Sequence, residues 1–177
     1  MKQSLGFTLF ELLVVMLIVG IFAAIGIPSF QYVTSSNRIA TELNNLVGDI
    51  QFARTEAVKE GLPVTVCVST DGATCSTTST NWNKGWIVFA DSNGNHTVDN
   101  GEPVLRKQAA FSADTFVADN NFGWATYNRN GFAATGTTST VTVTLHAPNN
   151  TSQWTRCLAV SPVGMLAVEK SGQGNCT

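Results

Sequence analysis

The hydrophobic pattern changes character along the chain. From Leu12 to Ile27 every residue is apolar or glycine, without one charge. Such a run predicts a helix able to cross a bilayer. As a helix, Phe7 to Ile27 would extend about 31 Å, against a hydrocarbon core of about 30 Å. Pro28 should kink the helix by deleting one backbone bond. Beyond it, apolar residues recur at Ile39, Leu43, Leu46, Val47, Ile50, Ala53 and Ala57. Gaps of three and four place them on one helical face, with Arg38, Glu42, Asn45, Asp49 and Glu56 mostly on the other. Gly61 and Pro63 supply a stop signal. One long helix is therefore expected from about Phe7 to Glu60, its second half laying its stripe on a sheet. From Leu62 the pattern shortens into runs bounded by Gly, Asn and Asp. Val64–Val68, Trp86–Phe89, Pro103–Arg106 and Val141–Leu145 read as strands. Cys157–Val160 and Met165–Val168 read as a hairpin around Pro162-Val163-Gly164. The Ser/Thr-rich stretch Thr70–Asn83 reads as a flexible loop, and no internal repeat is visible.

One charge interrupts the logic of the first segment. Glu11 sits near the start of a stretch that otherwise belongs in lipid, where a carboxylate costs about 2.5–3.5 kcal/mol by insertion scales. A carboxylate kept there is a candidate for function. The leader before it, Met1 to Gly6, carries Lys2 and ends in a small residue. A secretory signal peptide would place its small residues after the apolar core, not before it. Cleavage at Gly6 would leave the hydrophobic segment in the mature chain.

Composition narrows the remainder. The chain has 177 residues, enough for one membrane helix and one modest domain. Charged residues are 12%, about half the usual share. With abundant Thr, Asn, Ser and Gly, this suits an extracytoplasmic β-rich domain. The net charge of −2 gives no electrostatic footprint for nucleic acid. No nucleophile motif or Ser/His/Asp grouping is visible, so neither an enzyme nor a cofactor is expected. His96 and His146 read as ordinary surface or strand residues, and Trp82, Trp86, Trp124 and Trp154 as core or rim.

The stretch Gly6-Phe7-Thr8-Leu9-Phe10-Glu11-Leu12-Leu13-Val14-Val15 resembles the class III signal of type IV pilins and type II secretion pseudopilins. In that superfamily a prepilin peptidase cuts after the glycine and methylates the new N-terminus. The resemblance implies processing between Gly6 and Phe7, and assembly roles for Glu11 and Pro28. Further along, three stretches are similar to the GspH/FimT branch, nearest its FimU type. They are Phe52-Ala53-Arg54-Thr55-Glu56-Ala57, the hairpin from Gly85 to Arg106, and Tyr127-Asn128-Arg129-Asn130-Gly131. The implied architecture is α+β, the type IV pilin fold: a long N-terminal helix packed on an antiparallel β-sheet domain. Its divisions would be a cleaved leader over 1–6, a transmembrane assembly helix over 7–28, an amphipathic helix over 29–61 and a β-rich domain over 62–177. The implied partners are other minor pilins, the major pilin, prepilin peptidase, the inner-membrane assembly platform and, before assembly, inner-membrane lipid. The implied location is a single pass in the inner membrane and then the pilus at the cell surface, with the globular domain periplasmic or extracellular. The implied role is a minor subunit that primes the pilus and links a tip complex to the shaft. A type II secretion pseudopilin and a DNA-uptake subunit are the alternatives.

Three further constellations bear on these choices. Cys67, Cys75, Cys157 and Cys176 allow three pairings. A local Cys67–Cys75 bridge across a short loop is the simplest, leaving Cys157–Cys176 to close the C-terminal loop, as in many pilins. No Cys-x-x-Cys pair suggests zinc. The run Asp91 to Glu102 places Asp91, Asn93, Asn95, Asp99 and Glu102 at the oxygen positions of a calcium-loop template. Its sixth position is His96, where the template needs glycine, so a hairpin connection rich in Asx turns is the rival reading. DNA-uptake members of the family carry a C-terminal Gly-Arg-x-Arg motif. Here the matching residues are Gly164-Met165-Leu166-Ala167, which disfavours DNA because phosphate-neutralising cations dominate such binding.

Overall fold

The computed structural model describes residues 8–76, 78–111, 113–148 and 152–176. Contacts divide the chain into two compact units, Met1–Arg38 and Ile39–Thr177. Helix α1, Leu9–Glu60, supplies the described part of the first and the opening element of the second. It runs through Pro28 without a break. Gly61, at φ +71°, closes it by donating its N–H to Ala57 O at 3.0 Å, the left-handed ending that glycine permits without steric cost.

Among the described residues, nine strands follow in the second unit. One sheet has the order β3-β2-β1-β5-β6, built from Val104–Gln108, Trp86–Ala90, Val64–Val68, Trp124–Tyr127 and Ala133–Ala134. The other has the order β4-β7-β8-β9, built from Thr115–Ala118, Val141–His146, Arg156–Val160 and Leu166–Lys170. The pairings are antiparallel; Val66 stands opposite both Val88 and Ala125, and Val143 opposite Leu158. The expected strands are all present. β4, β5 and β6 are additional, and the β-domain proves to be two sheets.

The helical stripe and both sheets share one core. Ile39, Leu43, Leu46, Ile50, Ala53 and Ala57 are buried with Val64, Val66, Val88, Trp86 and Tyr127 of the first sheet, and with Phe116, Val143, Leu145 and Leu158 of the second. Glu42 departs from its expected place on the polar face: it is buried, within one turn of Ile39 and Leu43. A smaller cluster of Cys67, Ile87 and Phe89 fills the opposite face of the first sheet. Its cover comes from Cys75, Val98, Val104 and Trp124, so that sheet is buried on both sides. The period-two geometry of a strand accounts for this split, since Val66 and Cys67 must point to opposite faces.

Candidate functional site

In the first unit, Thr8 begins the helix. Its hydroxyl accepts the N–H of Glu11 at 3.2 Å, while its carbonyl takes the N–H of Leu12 at 3.2 Å. Thr8 and Glu11 thus have the Thr-x-x-Glu spacing of a capping box, in which an otherwise orphan donor at the helix start is satisfied. Glu11 also lies in the first turn, where the helix dipole favours negative charge. After it, Leu12 to Ile27 expose their large apolar side chains, and α1 is long and apolar enough to cross a membrane. Surface of this kind in a soluble chain would need a partner or a lipid to cover it. Pro28 lies in the same helix. Gly6 and Phe7 fall outside the described residues.

In the second unit, Cys67 is bonded to Cys75 and Cys157 to Cys176, with Cα–Cα distances of 5.7 and 5.5 Å. The first bridge ties down the stretch expected to be flexible. There Asp71 accepts the hydroxyl and N–H of Thr74 and the N–H of Ala73, which hold its carboxyl well below the usual range. Trp82, at the end of that stretch, is fully buried and donates Nε1 to Phe122 O at 2.9 Å.

The Asp91–Glu102 loop folds on itself. Asp91 is buried and accepts the Thr65 hydroxyl at 2.6 Å together with the N–H groups of Asn95 and His96. Asn93 and Asn95 both donate to Asp99 Oδ2, which lowers the Asp99 pKa. Glu102 accepts from Ser92 and from the Asp99 N–H. Thr65 and the loop's own donors therefore engage at least one side-chain oxygen of each of these five residues. His96 stacks on Trp124, with ring centroids 3.6 Å apart, and Trp124 in turn packs on the smaller cluster. His146 ends β7 and lies 3.1 Å from the Thr155 hydroxyl.

Two side chains of the helix carry contacts that residue pattern alone does not announce. Asp49 accepts from Trp86 Nε1 at 2.9 Å and pairs with Arg106 at 3.0 Å, while Arg106 lies 3.8 Å over the Phe52 ring. Arg54 donates to Gly164 O at 3.0 Å, joining the helix to the β8–β9 turn. The signal for both was a charged residue beside a buried stripe, but the partners lie 57 and 110 residues away.

A known methylation motif, the prokaryotic N-terminal one, matches residues 1–27, and the family of the type II transport protein GspH matches residues 42–164. The chain belongs to the GspH family. A curated fimbrial protein of Pseudomonas aeruginosa is 39% identical over 61 residues, 34% of this chain and 39% of that protein. The pilin-like protein PilA1 of Thermus thermophilus is 32% identical over 99 residues, 55% of this chain and 54% of that protein. The chain thus spans only about half, or less, of the curated relatives it matches. Among crystal structures, the type IV minor pilin FimU of Pseudomonas aeruginosa aligns with a TM-score of 0.59 at 22% identity, covering 83% of this chain and 98% of that one. The minor pseudopilin EpsH of the Vibrio cholerae type 2 secretion system aligns with a TM-score of 0.51 at 7% identity, covering 76% and 98%. These likenesses establish the type IV pilin fold. The apolar helix and the methylation motif fit a membrane-anchored pilin.

Proposed function

We propose that this protein is a minor subunit of a type IV pilus, built into the filament through the first half of α1. The observation that carries the reading is the exposed apolar stretch of that helix, with Glu11 as its one carboxylate. Processing after Gly6 would free the N-terminal amine of Phe7. Glu11 would then neutralise the amine of an adjacent subunit, removing two uncompensated charges from lipid and setting the axial register. Before assembly the chain would sit in the inner membrane as a single pass, with Lys2 on the cytoplasmic side. The domain from Leu62 onward would face outward and meet other minor pilins and the major pilin, priming the pilus and joining its tip complex to the shaft.

A second reading is a type II secretion pseudopilin, favoured by the family match over residues 42–164. It shares the assembly step and differs in what the filament does. A deletion strain scored together for twitching, transformation and exoprotein release separates the two. Loss of twitching with normal exoprotein release supports the pilus. Lost release with normal twitching would contradict it and support the secretion filament.

A further inference from the structure

A sheet edge presents main-chain donors and acceptors to whatever lies beside it, and three edges of this fold are closed or guarded. At β4, Ala118 donates its N–H to Thr80 O at 2.9 Å, and Asn81 bridges to Val117. At β6, Ala133 donates its N–H to Pro162 O at 3.1 Å. β3 carries the exposed Arg106 and Lys107, and charge on an edge deters a further strand. The edge at β9 differs, with no charge over Leu166-Ala167-Val168.

The register of β9 shows which of its groups are open. Ser161 donates its N–H to Met165 O at 3.0 Å, so these two face each other as a hydrogen-bonded pair where the β8–β9 ladder begins. In an antiparallel ladder such pairs alternate with pairs that exchange no bond. Ala167 and Glu169 therefore bond to β8, while Leu166, Val168 and Lys170 turn their N–H and C=O groups away from it. The chain itself caps Lys170, whose N–H donates to Gln173 Oε1 at 3.1 Å and whose carbonyl accepts the Gln173 N–H at 2.9 Å. Among the described residues, no hydrogen bond reaches the outward groups of Leu166 or Val168.

The side chains along this stretch are open too. Val168 stands opposite Leu158, which is fully buried, yet Val168 is 55% exposed. The apolar face of the sheet thus runs out to its edge without a cover at Val168. Leu166, which lines a small cavity with Ile50 and Gln51, is half-buried. The chemistry of the gap specifies its occupant. Main-chain donors and acceptors spaced along an extended edge take another extended main chain, and an uncovered valine takes an apolar side chain beside it.

We propose that a strand of a neighbouring filament subunit extends the second sheet at β9, bonded to the main chain of Val168 and Leu166 and setting an apolar side chain against Val168. The inference rests on the assembly reading above, which brings such a neighbour alongside. The test places the photo-reactive residue p-benzoylphenylalanine at Ala167 or Lys170 of the full-length protein, expressed in its own bacterium, and irradiates sheared filaments. Both positions are exposed, and they lie on opposite faces of β9. A strand at the edge is within reach of both. The expected result is an adduct from each probe with the same peptide of another pilin-like subunit, one with apolar residues at alternate positions. Val168→Pro removes the outward N–H without removing a bond to β8, and should lower both yields about tenfold. Val168→Lys keeps every main-chain group, guards the edge with charge and should lower them likewise. Val168→Ile should leave them unchanged. Adducts from one probe only, or yields untouched by the Pro and Lys variants, would overturn the proposal. So would adducts with a second copy of this chain, or with a peptide lacking apolar alternation. Protein present in filaments without any adduct would overturn it and leave the assembly reading standing. Absence of the protein from filaments would overturn both.

Discussion

Tyr127 is one residue whose chemistry the fold alters. Burial pushes its phenol up to about 12, against a smaller opposing pull from the Arg54 charge. In the unfolded chain a tyrosine titrates near 10. Between those values the folded protein keeps a proton that the unfolded chain has released. The stabilisation is therefore complete below about pH 10 and is lost as pH rises toward 12. Tyr127→Phe in the full-length, detergent-solubilised protein should flatten the fall in melting temperature over that range. An identical fall in both proteins would contradict the assignment. Single residues were also where the sequence was least legible. Glu42 looked like a solvent-facing charge because its position is judged by neighbours in sequence, yet the helix turns it under. Asp91 looked like a loop oxygen. Its burial depends on Thr65, which is 26 residues away in the chain.

At the level of elements, the helix was readable because its period and its stop signal agree. Its stripe also predicts energetics. Leu46 is wholly buried in the common core, so Leu46→Ala should destabilise the protein by about 2–5 kcal/mol, measured by denaturant unfolding in detergent. A loss below about 0.5 kcal/mol would mean that the helix does not pack as described, since surface changes stay within that range. The strands β4, β5 and β6 were harder to see. Each is four residues or fewer, and Thr115–Ala118 and Trp124–Tyr127 sit beside Asn- and Asp-rich turns that mask their alternation. Asn120 and Asn121, both at positive φ, make the turn that separates those two strands. Which strands form which sheet depends on long-range pairing, and no local pattern encodes it. The C-terminal loop has its own staple. Cys157→Ser with Cys176→Ser opens a loop of 19 residues' separation and should cost about 3 kcal/mol in the same assay. Equal stability of the double variant and the parent would show that the loop holds without it.

At the scale of the whole molecule, the chain joins two kinds of surface suited to different solvents. The first unit offers apolar side chains with Glu11 among them, and the second has a core closed by a helix, two sheets and two disulfides. The superfamily was legible in the first thirty residues because the Gly-Phe-Thr-Leu-x-Glu register is short and local. The face around Arg54 was not, because it is made by the helix and two turns brought together from distant parts of the chain. The central claim, that the protein works by being built into a filament through its first helix, has a direct measurement. Full-length protein and its Glu11→Ala variant are expressed in the deletion strain, and membranes and sheared filaments are immunoblotted side by side. The account predicts equal insertion and processing in membranes, with the variant reduced at least tenfold in filaments. Equal amounts of both proteins in the filament fraction would contradict it.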